Sequence, residues 1–310
     1  MKNDYISEIH EKDKLVLHPY EDLKDRGTYN RKLIVKSDNI YLYDENGKRY
    51  IDGPGGMWCN NIGHGNKEIA EAIKNQIETM DYCSPFSESS EKAAELASVL
   101  SELSPGELNT VFFTPDGSSA NETALRFMML YNNILGRPEK KHIISRDRAY
   151  HGSTYLTASI SGKDREKNNF DFESTFIHHV GSPNPYRRKD NQTVDDFCDE
   201  KVKEFEDKIL EIGPNKVAAY IAEPVLASGG CIVPPKNYIK RFWEICKKHD
   251  ILYISDEIVT GFGRLGHFFC SQEEFGIIPD IITSAKGITS GYIPLGAVLI
   301  SDRLMKSISK

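Results

Sequence analysis

Short β-branched runs alternate with helical patterns along most of this 310-residue chain. The alternation predicts an α/β fold, with a mostly parallel seven-stranded sheet and helices on both faces. The last two runs are joined by too few residues for a crossover connection, which predicts that the final strand is antiparallel. The strand candidates are TVFFT (110–114), HIIS (142–145), FIHHV (176–180), VAAYIAE (217–223), ILYISDE (251–257), DIITSA (280–285) and AVLIS (297–301), and the helical patterns lie near 119–135, 196–212, 236–249 and 271–275.

The first 65 residues have a different pattern. Residues 1 to about 30 are polar and predict a helical arm or an irregular lead-in. Residues 31–52 alternate apolar and polar side chains around a D-E-N-G turn, which is typical of a hairpin. The Gly-rich segment GPGGMWCNNIGHG follows, and a helical pattern then runs over 67–80.

Composition excludes several classes of protein. The formal net charge of −7 argues against non-specific nucleic-acid binding. No window approaches the roughly 20 apolar residues of a membrane helix, and the N-terminus lacks the apolar centre of a secretory signal. We therefore expect a soluble, cytoplasmic protein. The six cysteines form no C-x-x-C pair, and the adjacent His178 and His179 point to opposite faces of a strand, so no metal site is expected.

Three polar residues follow strand candidates, where ligands bind in open α/β sheets. Glu223 follows VAAYIA, Asp256 follows ILYIS, and Lys286 follows DIITSA. An acid and a lysine at one sheet edge predict either a catalytic pair or an ordinary buried ion pair.

The segment TPDGSSANETALRFM (114–128) combines a strand end, a Gly-Ser-Ser turn and a helix start. Glycine lets the backbone approach an anion, and the free amides at a helix N-terminus favour a phosphate. A plain capped helix is the alternative, because Ser is a favoured N-cap residue. A phosphate site together with the acid and the lysine indicates a functional site more strongly than any one of these features does alone.

Several blocks in order give the chain a family resemblance. They are YLYDENGKRYID, GGMWCNNIGHG, DGSSANETALR, AYHGST, IAEPV, ISDEIVTGFGRLG and SAKGITSGYIPLG. Over about residues 35–310 the chain resembles class III aminotransferases, which have fold type I and use pyridoxal 5′-phosphate (PLP). The resemblance implies an N-terminal part of a smaller α+β domain (1–65) and a large PLP-binding domain (66–310).

The resemblance also implies a role for each site residue. Lys286 forms the Schiff base with PLP, and Asp256 pairs with the pyridine nitrogen. Ile258 and Tyr150 cover the two faces of the ring, although both could be core residues. Two residues, Gly117 and Ser118, hold the phosphate. Glu223 orders the site, or serves in a structural ion pair.

The GGMWCNNIGHG block is similar to that of the omega-amino acid and amine:pyruvate aminotransferases. This resemblance implies that Trp58 lines the substrate pocket. The alternative is that Trp58 is an aromatic residue of the core or of an interface. Trp58 and Tyr150 together would bind the substrate and favour an amine or omega-amino acid donor with a keto acid acceptor (pyruvate). Ping-pong kinetics and a homodimer are also expected. An aminomutase or a decarboxylating transaminase is the runner-up. The family's C-terminal small domain lies past residue 310, so we expect a truncated chain, and a catalytically silent one is a further alternative.

Overall fold

The N-terminal residues form a three-stranded antiparallel sheet and three helices in the computed structural model, which describes residues 2–309. The strands have the order β1-β2-β3, and the predicted D-E-N-G turn joins the last two. In that turn the Asp44 carboxylate accepts the Asn46 and Lys48 amides at 3.0 and 2.9 Å. The elements are α1 (Lys2–Asp13), β1 (Ile34–Asp38), β2 (Tyr41–Asp44), β3 (Arg49–Ile51), α2 (Gly55–Trp58) and α3 (Lys67–Thr79).

The chain divides into two units, with the boundary between Asp81 and Tyr82. Helix α3 therefore belongs to the N-terminal unit, whereas the sequence placed the start of the large domain at residue 66. That predicted domain division stays a prediction. The polar lead-in is helical only over α1, and the segment from there to β1 consists of turns and irregular backbone.

The C-terminal unit is built on one seven-stranded sheet with the order β4-β10-β9-β8-β7-β5-β6. Four of its strand pairs are parallel, and β10 is antiparallel to both β4 and β9. The mostly parallel sheet and the antiparallel final strand are thus confirmed. The strands are β4 (Thr110–Thr114), β5 (His142–Arg146), β6 (Ile177–Val180), β7 (Val217–Ala222), β8 (Leu252–Asp256), β9 (Ile281–Ser284) and β10 (Gly296–Ile300).

Helices cover both faces of this sheet. Neighbouring residues of one strand enter different apolar clusters: Ile143 packs with residues of α5 and α6, and Ile144 packs with residues of α7 and α8. This alternation is the two-residue period of a strand buried on both sides. The helices are α4 (Glu91–Leu103), α5 (Gly117–Ile134), α6 (Tyr155–Ile160), α7 (Val194–Ile212), α8 (Tyr238–Lys248), α9 (Cys270–Glu273) and α10 (Asp302–Ile308); the sequence patterns had not predicted α4 or α6.

Over residues 2–309 no helix combines the length and the hydrophobicity that crossing a bilayer requires. The same residues contain no group of three or more His, Cys, Asp or Glu side chains arranged to hold a metal ion.

A histidine pair lies across the two outermost parallel strands. His142 Nδ1 on β5 is 2.8 Å from His178 Nε2 on β6, and the rings stack with centroids 5.1 Å apart. Burial lowers the pKa of both imidazoles, and the positive charges of Lys216 and Lys208 act in the same direction. Glu211 opposes this effect at His178. The folded protein therefore favours neutral imidazoles.

This pair should make the protein less stable in mild acid. As the pH falls below about 6.5, the unfolded chain binds protons that the folded His142–His178 pair resists, so the free energy of unfolding decreases. Urea unfolding at pH 7.5 and 5.5 measures the loss. The double variant His142→Gln/His178→Gln should lose less stability over this range than the unmodified protein. His267→Gln, which changes a more exposed histidine, is the control, and equal losses in all three proteins would contradict the prediction.

Candidate active site

The carboxyl ends of β7, β8 and β9 bring the three predicted strand-end residues to one edge of the sheet. Asp256 is the last residue of β8 and lies opposite Thr283 of β9. Glu223 directly follows β7, and Lys286 follows β9 by two residues. Lys286 begins a short 3₁₀ turn with a φ of 44°, a left-handed conformation that is strained for a residue with a Cβ. Strain of this kind concentrates at functional sites.

The Asp256 carboxylate is buried, with 3% of the residue exposed, and is held by several donors. Its Oδ2 accepts a hydrogen bond from Asn121 Nδ2 at 2.8 Å and lies 2.7 Å from His151 Nδ1. Its Oδ1 accepts the Ile258 amide at 3.2 Å. Because an ionised carboxylate only accepts, Nδ1 is the donor in the contact with His151. These donors stabilise an anion that burial alone would disfavour.

Asn121 and His151 are functional candidates that the sequence analysis did not identify. Asn121 Nδ2 also donates to the His151 carbonyl at 2.7 Å, and its Oδ1 accepts the Thr283 hydroxyl at 2.7 Å. The amide therefore joins α5, β9 and the loop after β5. One signal was present in the sequence: Asn121 is a polar residue on the buried face of α5, beside Ala120 and Ala124.

The N-terminus of α5 offers free backbone donors. The Asp116 carboxylate caps the helix by accepting the Ser119 amide at 2.8 Å. Within residues 2–309 the amides of Gly117 and Ser118 have no acceptor. Two amides and the positive end of an 18-residue helix favour an anion at this position. The sequence had predicted a phosphate site at these two residues.

Two glycines let neighbouring segments approach the start of α5. A Cβ on Gly117 would lie 2.8 Å from Ile258 Cδ1, closer than carbon atoms can pack. A Cβ on Gly152, whose φ is 140°, would lie 2.7 Å from Ser118 Oγ. The Ser118 hydroxyl accepts the Ser153 amide at 3.1 Å. The loop after β5 is thus fixed against the first turn of α5, and no larger residue fits at either glycine without displacement.

Tyr150 is held by the Glu223 carboxylate. Glu223 is 4% exposed; its Oε1 accepts the Tyr150 amide and its Oε2 accepts the Ala227 amide, both at 3.0 Å. Burial raises the pKa of this carboxyl group above its ordinary value. The Tyr150 hydroxyl contacts Ser153 Oγ at 2.9 Å, and Lys163 Nζ lies 5.0 Å from the centre of the Tyr150 ring. The Tyr150 backbone, hydroxyl and ring therefore each have a contact that restrains the residue.

Trp58 is a predicted site residue of the N-terminal unit. It is half-buried and has a φ of 67°, and the preceding Met57 has a φ of 96°. Two consecutive left-handed residues with side chains are costly. The GGMW segment therefore has a strained backbone of the kind found at functional sites.

The residues of the C-terminal unit fit PLP by the chemistry of their donors. Lys286 would provide an amine for the aldehyde, and the donor-stabilised Asp256 would provide an anion for a protonated pyridine nitrogen. The unsatisfied amides of Gly117 and Ser118 suit the phosphate. Glycine at 117 leaves room for the Ile258 side chain, which would have to shift if a Cβ were present.

Comparison with known proteins gives a consistent result. The family model "Aminotransferase class-III" matches residues 25–310. Putrescine–pyruvate aminotransferase of Pseudomonas aeruginosa is 37% identical over 95% of this chain and 64% of its own length. The crystal structure of an (S)-enantioselective omega-transaminase from Thermomicrobium roseum superposes with a TM-score of 0.95, at 38% identity, over 98% of this chain and 68% of that one.

An omega transaminase from Pseudomonas jessenii, solved in complex with PMP, superposes with a TM-score of 0.94 at 38% identity, over 97% of this chain and 67% of its own. The chain spans roughly two thirds of the length of the relatives that it matches. These structural neighbours confirm the predicted transaminase fold. From the family match and the identity with its members, the chain belongs to the class III aminotransferases.

Proposed function

We propose that this protein catalyses PLP-dependent transamination, moving an amino group from an amine or omega-amino acid to a keto acid. The observation that carries the proposal is the buried Asp256 carboxylate, held by Asn121 and His151 at the sheet edge where Lys286 emerges. Bound PLP supplies an electron sink that accepts the charge left when a substrate proton is removed. The residues of the chain hold that group and move the proton.

Lys286 is proposed to hold the cofactor covalently and to serve as the general base. With a substrate amine in the site, the Lys286 Nζ would remove the proton from the substrate carbon that bears the nitrogen. The strained backbone at Lys286 supports this role, because strain of this kind concentrates at functional sites.

Asp256 is proposed to keep the pyridine nitrogen protonated throughout the reaction. Asn121 and His151 orient the carboxylate and maintain its charge. Gly117 and Ser118 are proposed to bind the phosphate through their backbone amides. Tyr150 and Ile258 are proposed to cover the ring faces, and Glu223 to position Tyr150.

The proposed acceptor is pyruvate, which the putrescine–pyruvate relative supports. The reaction then has two half-reactions, in which the carbonyl product leaves before the acceptor binds, so ping-pong kinetics are expected. We also propose a cytoplasmic homodimer, on the resemblance to the family.

Replacing Lys286 by Ala should abolish the reaction while leaving the protein folded. Mixing the unmodified protein with PLP should give a visible absorption band that depends on Lys286 and changes when an amine is added without acceptor. Turnover should fall by at least about a hundredfold in Lys286→Ala, because the general base is lost. The control Lys248→Ala removes an exposed lysine paired with Glu206. A band of equal intensity in Lys286→Ala would refute the assignment.

Replacing Asn121 by Leu should weaken PLP binding. The change removes a hydrogen bond to a charged group, a loss of about 1.5–3 kcal/mol, so the Kd for PLP should rise roughly tenfold or more. Fluorescence titration with PLP measures it. Asn132→Leu is the matched control, since Asn132 is a buried amide farther along α5 that donates to the Met128 carbonyl. Equal weakening in both variants would indicate a general effect on the helix instead.

Replacing Trp58 by Gly should change the preference among amines. If the indole limits the size of the donor, its removal should raise kcat/KM for a bulky aryl amine relative to a small linear amine by roughly tenfold. Trp243→Ala is the control, because Trp243 lies on α8 and donates to the Ile278 carbonyl. An unchanged ratio in Trp58→Gly would show that this tryptophan does not determine specificity.

A further inference from the structure

A buried cation contacts the backbone of Glu223. Arg146, the last residue of β5, is fully buried with 0% of the residue exposed. Its Nη2 donates to the backbone carbonyl of Glu223, and its Nε and Nη1 have no hydrogen-bond partner within residues 2–309. A permanent charge with so few partners is costly to bury. Its position therefore needs an explanation beyond packing.

Three tyrosines and one carboxylate act on the charge of Arg146. The three tyrosines that act on its charge are Tyr220, Tyr238 and Tyr253, all of which are buried; the carboxylate is that of Glu223. Burial raises the pKa of these tyrosines, so they remain neutral hydroxyls. Among these groups Glu223 alone can carry a negative charge near neutral pH, and the guanidinium contacts its backbone carbonyl.

Several groups act on the Glu223 carboxyl group. Burial raises its pKa, and the negative charge of Asp256 acts in the same direction. His151, the Tyr150 amide and Arg146 lower the pKa and so favour the ionised carboxylate. An ionised Glu223 can accept the amides of Tyr150 and Ala227 at its two oxygens, as observed.

We propose that Arg146 is a positioning residue: its guanidinium fixes the Glu223 backbone and its buried charge supports the Glu223 carboxylate, and in this way it holds Tyr150 against the cofactor. Arg146 does not contact the reacting groups in this role; it acts through Glu223. Only the part of this inference that concerns the cofactor rests on the proposed function.

The first test uses the protein without cofactor. Urea unfolding is measured for Arg146→Met, Glu223→Gln and the double variant. Removing one charge leaves the other buried and unpaired, whereas removing both leaves neither. The double variant should therefore lose less stability than the two single losses added together. Strict additivity would overturn the pairing of Arg146 with Glu223. If Arg146→Met does not fold alone, folding of the double variant supports the pairing, and a double variant that also fails to fold overturns it.

The second test measures how PLP affinity depends on pH, a readout that a purely structural role would not change. In Arg146→Met, or in Arg146→Gln if Met is not tolerated, Glu223 should protonate at higher pH. The pH below which PLP affinity falls should move upward by about one unit relative to the unmodified protein. Arg146→Lys, which keeps the charge, should restore most of the normal profile. An unshifted profile in the neutral variants, or an equal shift in Arg146→Lys, would overturn the proposal.

Lys140→Met is the matched control for both tests. Lys140 is a buried cation just before β5, 4% exposed, and its Nζ lies 3.5 Å from the carbonyls of Pro214 and His249. Its loss should lower stability without shifting the pH profile of PLP binding. If the unmodified protein binds no PLP at all, the proposed function fails, and the unfolding measurements without cofactor still decide the pairing of Arg146 with Glu223.

Discussion

A carboxylate removed from water must be matched by donors, and the Asp256 carboxylate at the end of β8 imposes this requirement on the surrounding fold. Its donors come from distant parts of the chain: Asn121 from α5 and His151 from the loop after β5. Both positions are correct only if α5 packs on the sheet and β5 occupies its place in the strand order. The site and the sheet therefore depend on the same contacts, because a shift of either segment removes a donor from the buried anion.

The sheet could be predicted because strands buried on both faces have continuous apolar sequences. VAAYIA is buried at every position, and its limits matched β7 closely. The two helices that the sequence did not predict lack a clear signal for different reasons. Helix α4 buries only Leu100, so it has no burial pattern on which a prediction could depend, whereas α6 is buried at four positions but has only six residues.

Candidate site residues could be proposed from the sequence where a single segment contains the whole pattern. Strand ends identified Asp256, Glu223 and Lys286, and the Gly-Ser-Ser turn identified Gly117 and Ser118. The residues that hold these groups were not predictable in the same way, because their partners are remote in sequence. Asn121 and Asp256 are 135 residues apart, and the Arg146 contact with Glu223 spans 77. No local pattern contains both members of such a pair.

The place of β4 in the sheet also determines the order in which the chain can fold. Within residues 2–309, β4 is an edge strand that pairs only with β10, and Thr114 lies opposite Gly296. At about 5–20 residues per second, a ribosome makes β4 roughly 10–40 s before β10. During that time the exposed side chain of Phe112 belongs to a strand that lacks its partner β10. Until β10 has been made, the open edge of β4 can pair with another chain, so this interval carries a risk of aggregation.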